Sequence, residues 1–187
     1  MRLLAVLRRY VAAQDPLVAT TNMIAMVLAW NTPFYPLYVL GSGGASMAPA
    51  AWFTALAFPV YLAVPAVTRR HPLAGRIMLV ATAIANTVYC TWLLGEASGT
   101  QLFLVPCIAL ALLLFRRTEA TPLVTFICAP VLTGLALNGR YPASAVSCMG
   151  DACSGLFWLN VISVVCLFGF FGLLVLRRLT TSAKPLN

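Results

Sequence analysis

The feature that most constrains this chain is an uncharged run over residues 16–40, PLVATTNMIAMVLAWNTPFYPLYVL. As a helix, the run is long enough to cross roughly 30 Å of hydrocarbon. Its second half holds Trp30, Asn31, Thr32 and two prolines. Polar groups and interrupted backbone hydrogen bonds are costly in hydrocarbon unless they find partners. We therefore expect this half to face other helices and not lipid.

Composition places the whole chain in the same class. Of its 187 residues, 61% are hydrophobic and only 9% are charged, which is far from the balance of a soluble domain. The sequence predicts an all-α, polytopic integral membrane domain over residues 16–178. Residues 1–15 are expected to form a cytoplasmic amphipathic helix, or else a charged prefix that only orients the first span. Residues 179–187 are expected to be a cytoplasmic tail.

Six transmembrane helices are predicted from the apolar runs and the polar turns between them. Their approximate bounds are 16–40, 48–68, 73–95, 101–115, 122–137 and 154–176. With both termini in the cytoplasm, every Lys and Arg except Arg140 lies on the cytoplasmic side, as the positive-inside rule requires. Topology thus accounts for the net charge of +8, and no nucleic-acid partner is expected. The expected location is the inner (cytoplasmic) membrane of a bacterium.

Enzymatic chemistry is not expected. All four carboxylates fall at predicted helix ends or in loops, whereas catalysis within a membrane generally needs acidic groups or histidine clusters at membrane depth. The one histidine, His71, lies in a predicted cytoplasmic loop, where an interfacial role is commoner than catalysis. The chain has no phosphate-binding glycine loop and no nucleophile elbow. We expect no catalytic residue, no bound metal and no cofactor.

The six cysteines fall into two groups. Four lie within predicted spans, where a thiol behaves as a small apolar side chain. Cys148 and Cys153 lie in the predicted outer loop as CMGDAC, on the side of the membrane where thiols oxidise. We predict a structural disulfide between them; a redox-active pair is the alternative, although the spacing is wider than Cys-x-x-Cys.

Three amides are predicted to share one level of the membrane. Asn31, Asn86 and Asn160 each lie about 9–14 Å below the outer end of their span, at a rise of about 1.5 Å per residue. Aromatic residues surround them in the sequence, and all four tryptophans fall in this outer half. The predicted ligand-binding residues are Trp30, Asn31, Thr32, Tyr35, Tyr38, Asn86, Tyr89, Trp92, Trp158 and Asn160.

Two interpretations of this layer stay open. In the first, the tryptophans form an interfacial belt and the amides make hydrogen bonds between helices. In the second, the layer is an aromatic-walled pocket whose amides and hydroxyls orient a ligand. A belt is expected at both faces, whereas tryptophan is found here at one face only, so the pocket is kept as an equal alternative.

The arrangement of Tyr10, Asp15-Pro16 and Asn31-Thr32-Pro33-Phe34-Tyr35 ahead of five further apolar runs resembles known six-helix membrane sensors. These are the sensor domains of bacterial autoinducer-type histidine kinases and of some nucleotide cyclases. The resemblance implies a six-helix bundle with both ends in the cytoplasm. Members of those families carry an output domain after the sixth span, whereas only a short tail follows here. The resemblance therefore implies either that the chain has lost its output domain or that it works through a protein partner on the cytoplasmic side.

The sequence favours a non-enzymatic membrane sensor or binding module that takes a small, largely apolar ligand. Two alternatives remain. By size and span count, the chain is also similar to the substrate-binding membrane subunits of energy-coupling-factor importers. The third possibility is an accessory or assembly subunit of a membrane complex, with no ligand.

Overall fold

Residues 2–43, 48–141 and 151–182 are described by a computed structural model, and this part of the chain is all-helical. Its α-helices are α1 (Arg2–Val11), α2 (Pro16–Asn31), α3 (Tyr35–Gly43), α4 (Ala48–Phe53), α5 (Phe58–Arg70), α6 (Pro72–Leu94), α7 (Leu104–Leu114), α8 (Ala120–Leu137) and α9 (Asp151–Ser182). Short 3-10 turns at Thr54–Ala57, Glu96–Ser98 and Thr100–Phe103 connect several of them.

Five helical stretches are long and apolar enough to cross a membrane. They are Pro16–Ser42, Ala50–Arg70, Pro72–Leu94, Ala120–Leu137 and Cys153–Arg177. The predicted fourth span corresponds to a shorter apolar helix, Thr100–Leu114, which reaches only about 22 Å at 1.5 Å per residue. The chain is a multi-pass membrane protein with the predicted all-α fold. The count of six spans and the side on which the termini lie stay predictions.

The first span begins and breaks where its sequence requires. Asp15 caps α2, since its Oδ1 accepts the backbone N–H of Leu17 at 2.8 Å, and Pro16 occupies the first helical position. The helix ends at Asn31 and α3 begins at Tyr35, with Pro33 in between. Proline has no N–H to continue the helical ladder, which explains the break. The interruption leaves the polar half of the span at the edge of a cavity described below.

The helices pack in sequence order, and α9 returns to close the bundle. Helix α2 packs on α5, α5 on α6 and α7 on α8, while α9 lies against α3 and α7. The main apolar cluster is built around Ile24, Leu79 and Leu114, and a smaller one around Val39 and Leu94. In α8 Pro130 alone is buried, so this helix lies at the periphery.

One end of the bundle, here called the inner end, is tied together by charge. The Arg76 guanidinium makes two bonds of 2.6 Å to the Glu119 carboxylate, and its Nη1 also donates to the Leu114 carbonyl at 2.8 Å. The Glu119 carboxylate accepts the backbone N–H of Arg116, whose side chain pairs with Asp15 at 3.0 Å. These bonds fix the α7–α8 loop against the starts of α6 and α2.

A second polar contact at the inner end holds α1, α2 and α5 together. Asn22 is fully buried; its Oδ1 accepts the Thr68 hydroxyl at 2.7 Å and its Nδ2 donates to the Val11 carbonyl at 3.1 Å. Helix α1 is further held by the Tyr10 hydroxyl, which donates to the Leu62 carbonyl at 2.7 Å. Glycine at position 75 allows α6 to lie close to α5, because a Cβ there would collide with Thr68.

Loss of the Glu119 carboxylate should destabilise the fold. The Arg76 side chain is only 5% exposed, so Glu119→Gln would leave a buried guanidinium without its counter-charge. We expect a loss of about 3 kcal/mol in the free energy of unfolding, measured by chemical denaturation in lipid discs. Arg116→Gln is the control, because the Arg116–Asp15 pair is exposed and its loss should cost under about 1 kcal/mol. Equal losses in the two variants would contradict this account.

Acid should remove the same stabilisation. The bonds from Arg76 hold the pKa of Glu119 below its ordinary value of 4.5, although burial acts in the opposite direction. Because the folded pKa is lowered, the stabilisation is complete above about pH 4.5 and is lost as the pH falls through the folded value. The unfolding midpoint of the wild type should drop across this acid range more steeply than that of Glu119→Gln. Parallel pH profiles would refute the assignment.

Candidate functional site

A cavity of about 820 Å³ lies inside the bundle. Side chains from α2, α5, α6, α7 and α9 form its walls, and Leu7 and Val11 of α1 lie at its inner limit. It is lined mainly by carbon and sulfur, including Met23, Phe103 and Phe171. Its volume and its largely apolar walls with a few polar groups are typical of a small-molecule site.

The cavity opens sideways, between α2 and α9. Both helices contribute lining residues, yet in the described part of the chain they are not packed along each other. The lining residues Trp30 and Val27 of α2 are 71% and 40% exposed, and Ile162 of α9 is 61% exposed. In a membrane, such an opening faces the bilayer.

Most hydroxyl groups at the cavity wall are already bonded. Thr32, Thr87 and Ser163 each donate to the backbone carbonyl four residues earlier, at 2.7–2.9 Å. These bonds stay within one helix, as is common for such residues in apolar helices. They leave little donor capacity for a ligand.

Two lining groups are different. Tyr61 is 4% exposed, and its hydroxyl has no hydrogen-bond partner among the described residues. Asn86 accepts only a weak bond from the Cys90 thiol, with the sulfur 3.7 Å from its Oδ1, and its Nδ2 has no partner in the described ranges. The sealed-off side-chain polar atoms without a partner in the described ranges are instead Gln101 Oε1 and Tyr141 Oη. Tyr61 and Asn86 line the cavity, so their polar atoms are open to a molecule that fills it.

The structure distributes the ten predicted ligand-binding residues over four places. The residues that line the cavity are Trp30, Asn31, Thr32, Tyr35 and Asn86. Tyr89 and Trp92 line a separate, shallower recess beside Arg140 and Tyr141. Tyr38 and Trp158 are 47% and 62% exposed on the outside of the bundle. Asn160 is fully buried and bonded within the protein. Their role in ligand binding stays a prediction.

Asn160 joins α9 to two other parts of the outer end. Its Oδ1 accepts the Tyr35 hydroxyl at 3.0 Å, and its Nδ2 donates to the Ser98 carbonyl at 2.9 Å. The turn at Ser98 is itself held by the Ser98 and Thr100 hydroxyls, which lie 2.6 Å apart. At Gly99 φ is +73°, and a Cβ would collide with the Phe157 ring of α9. The oxygen and the nitrogen of the Asn160 side-chain amide are therefore both bonded within the protein.

Tyr61 is one of the cavity residues that the sequence analysis did not select. It lies near the middle of the second span and carries no motif around it. The available signal was a single tyrosine at the centre of an apolar run, where a phenol needs a polar partner.

The cysteine and metal predictions are only partly covered by the structure. Cys148 lies outside the described residues, so the predicted disulfide with Cys153 stays a prediction. Of the span cysteines, Cys90 and Cys107 are buried, while Cys128 and Cys166 are exposed. Within the described residues there is no group of three or more His, Cys, Asp or Glu that could hold a metal ion.

Comparison with known families assigns the whole bundle. The model of the MASE7 family matches residues 8–183, which include the five long apolar helices and every lining residue of the cavity except Leu7. The chain belongs to the MASE7 family. MASE7 is a family of membrane-associated sensor domains, so the predicted membrane sensor is confirmed at that level. The specific resemblance to autoinducer kinases stays a prediction. No curated protein and no solved structure matches the MASE7 chain.

The two amides Asn160 and Asn31 should behave differently in stability measurements. Asn160→Leu removes two bonds from a buried site and leaves the Ser98 carbonyl and the Tyr35 hydroxyl without their partner. We expect a loss of about 1–2 kcal/mol in the free energy of unfolding of the MASE7 chain. Asn31→Leu is the control, since Asn31 is exposed and should change stability by under about 0.5 kcal/mol. A larger loss in the control would contradict the assignment of Asn160 as the structural amide.

Proposed function

We propose that this MASE7 domain is a non-enzymatic sensor of the bacterial inner membrane that holds a small, largely apolar ligand in its cavity and signals through a protein partner. The observation that carries the proposal is Tyr61, a buried residue of the cavity lining whose hydroxyl lacks a hydrogen-bond partner in the described structure. The Asn86 amide beside the same space supports it. A ligand hydroxyl or carbonyl would satisfy both groups.

The helices that form the cavity walls are suited to pass on a change that a bound ligand causes. At the inner end polar contacts join α2 to α5 and α6 to the α7–α8 loop, and at the outer end one joins α3 to α9; the cavity lies between these two levels. A ligand that binds one arrangement of α2 and α9 better than another shifts the population toward it, by no more than its difference in affinity for the two.

A partner on the inner end would read this shift. The exposed Arg69 and Arg70 at the end of α5 and the exposed Arg117 provide basic groups there, and Arg117 directly follows Arg116 of the Asp15–Arg116 pair. Movement of α2 would be passed to these groups through the Asp15–Arg116 pair. An acidic docking face is therefore expected on the partner.

Filling the cavity should abolish ligand retention. Ala83 lines the cavity and is 9% exposed, so Ala83→Phe would occupy ligand space. The protein in lipid discs would be incubated with a lipophilic extract of host cells and the retained small molecules identified by native mass spectrometry. We expect a compound retained by the wild type and lost from Ala83→Phe. Ala85→Phe, on the exposed face of the same helix, is the matched control and should retain it.

Retention of the same compounds by the wild type and by Ala83→Phe would contradict a ligand site in this cavity. The partner is identified separately, by cross-linking through exposed residues at the inner end of the folded protein in cells. Capture of a kinase or a nucleotide cyclase supports the sensor. Capture of a transport ATPase would instead indicate a transport subunit, and a large membrane complex would indicate an accessory role.

A further inference from the structure

The polar groups of the cavity are not spread evenly along it. The polar lining residues lie in the outer half or at the midpoint of their spans, as in Asn31, Tyr61, Asn86 and Ser163. The inner part is lined by Met23, Leu110, Leu167, Phe170 and Phe171, and ends at α1. The cavity is therefore amphipathic along its length, with a polar outer part and an apolar inner part.

The shape of the cavity is elongated. Along the apolar helix Thr100–Leu114, which includes α7, the lining residues extend from Thr100 to Leu110, which is about 15 Å at 1.5 Å per residue. The lining on α9 extends over a similar length, from Ile162 to Phe171. A space of this kind fits a chain better than a compact ring.

Charge gives a third constraint. None of the described residues that line the cavity carries a charge at neutral pH, because none of them is Arg, Lys, Asp, Glu or His. A carboxylate or an ammonium group buried there would lose its hydration without gaining a counter-charge, which costs far more than a neutral polar group that is hydrogen-bonded.

We propose that the ligand is an uncharged, single-chain amphiphile that enters from the bilayer between α2 and α9. Its hydroxyl or carbonyl head lies at Tyr61 and Asn86, and its alkyl chain extends inward between α2, α7 and α9 toward Leu7 and Val11. This inference rests on the proposed function and specifies the chemistry of the same site. Entry from the membrane follows from the exposed Trp30, Val27 and Ile162 at the opening.

The length of the chain should be limited by the inner end. In a bilayer the lipid tails already solvate an alkyl chain, so the hydrophobic effect gives little preference for the cavity over the membrane. What distinguishes the cavity is that Leu7 and Val11 of α1 line its inner end and that its polar groups are not fully bonded. A cut-off in chain length is therefore the expected signature, together with a requirement for a neutral polar head.

The experiment uses the full chain in phosphatidylcholine discs and defined probes. Straight-chain primary alcohols from octanol to tetradecanol are compared with decanoate, decyltrimethylammonium and the compact aromatic indole, and bound probe is measured by native mass spectrometry. We expect the amount of bound alcohol to increase with chain length up to one length and to be lost for longer alcohols. Decanoate, decyltrimethylammonium and indole should be retained no better than by the filled variant Ala83→Phe.

Two pairs of variants locate the head and the chain. Tyr61→Phe should weaken decanol retention about threefold to tenfold, the equivalent of one hydrogen bond. The matched control Thr125→Val removes one exposed hydroxyl from α8, away from the cavity lining, and should not change it. Leu167→Trp narrows the inner part of the cavity and should move the cut-off to shorter alcohols. Leu173 of the same helix is 61% exposed, so Leu173→Trp should leave the cut-off unchanged.

The outcomes separate this inference from the function on which it rests. Equal retention of decanoate and decanol, stronger retention of indole, or an unchanged cut-off in Leu167→Trp would overturn the neutral-chain assignment and leave a ligand cavity standing. If no probe is retained better by the wild type than by Ala83→Phe, the neutral-chain assignment is overturned too. The proposed function is overturned with it only if the wild type also retains no compound from the cell extract. Tyr61→Phe changes a single hydroxyl, so it keeps the test valid if the filled variant does not fold.

Discussion

A polar group that is removed from water must find a partner, and this requirement organises the whole bundle. At the inner end it is met by Arg76 with Glu119 and by Asn22 with Thr68. At the outer end it is met by Asn160 with Tyr35 and the Ser98 carbonyl. Between these two levels lie Tyr61 and Asn86, whose polar atoms are not fully used. The polar contacts thus lie at the two ends of a bundle whose middle holds a cavity with polar groups that are not fully bonded.

The features that could be predicted from the sequence are those that depend on position along the chain. Apolar runs, prolines and arginine clusters report where a helix starts, breaks and ends, and the predicted segments coincide with five long apolar helices and one shorter one. The depth of Asn31, Asn86 and Asn160 follows from the same information. The rotation of each helix about its axis does not, because it is decided by packing between helices. For this reason the three amides predicted at one level differ in their environments: Asn31 and Asn86 line the cavity, Asn31 at its exposed edge, while Asn160 is bonded inside the protein.

The tryptophans illustrate the same limit. All four fall in the predicted outer half, and they are 49–71% exposed. Of these, Trp30 alone lines the large cavity, so the outward-facing Trp52 and Trp158 fit the belt interpretation while Trp30 fits the pocket. Both interpretations of the aromatic layer therefore describe part of it. Tyr61 was not selected because nothing in its local sequence separates a tyrosine that faces a cavity from one that packs in a core.

The most direct test of the account is an experimental structure of the protein in lipid discs prepared from its host membrane. The account predicts that α2 and α9 stay apart and that a non-protein molecule lies in the cavity, with its polar atom about 3 Å from the Tyr61 hydroxyl. A structure in which α2 and α9 close on each other and the Tyr61 hydroxyl bonds to protein would contradict it.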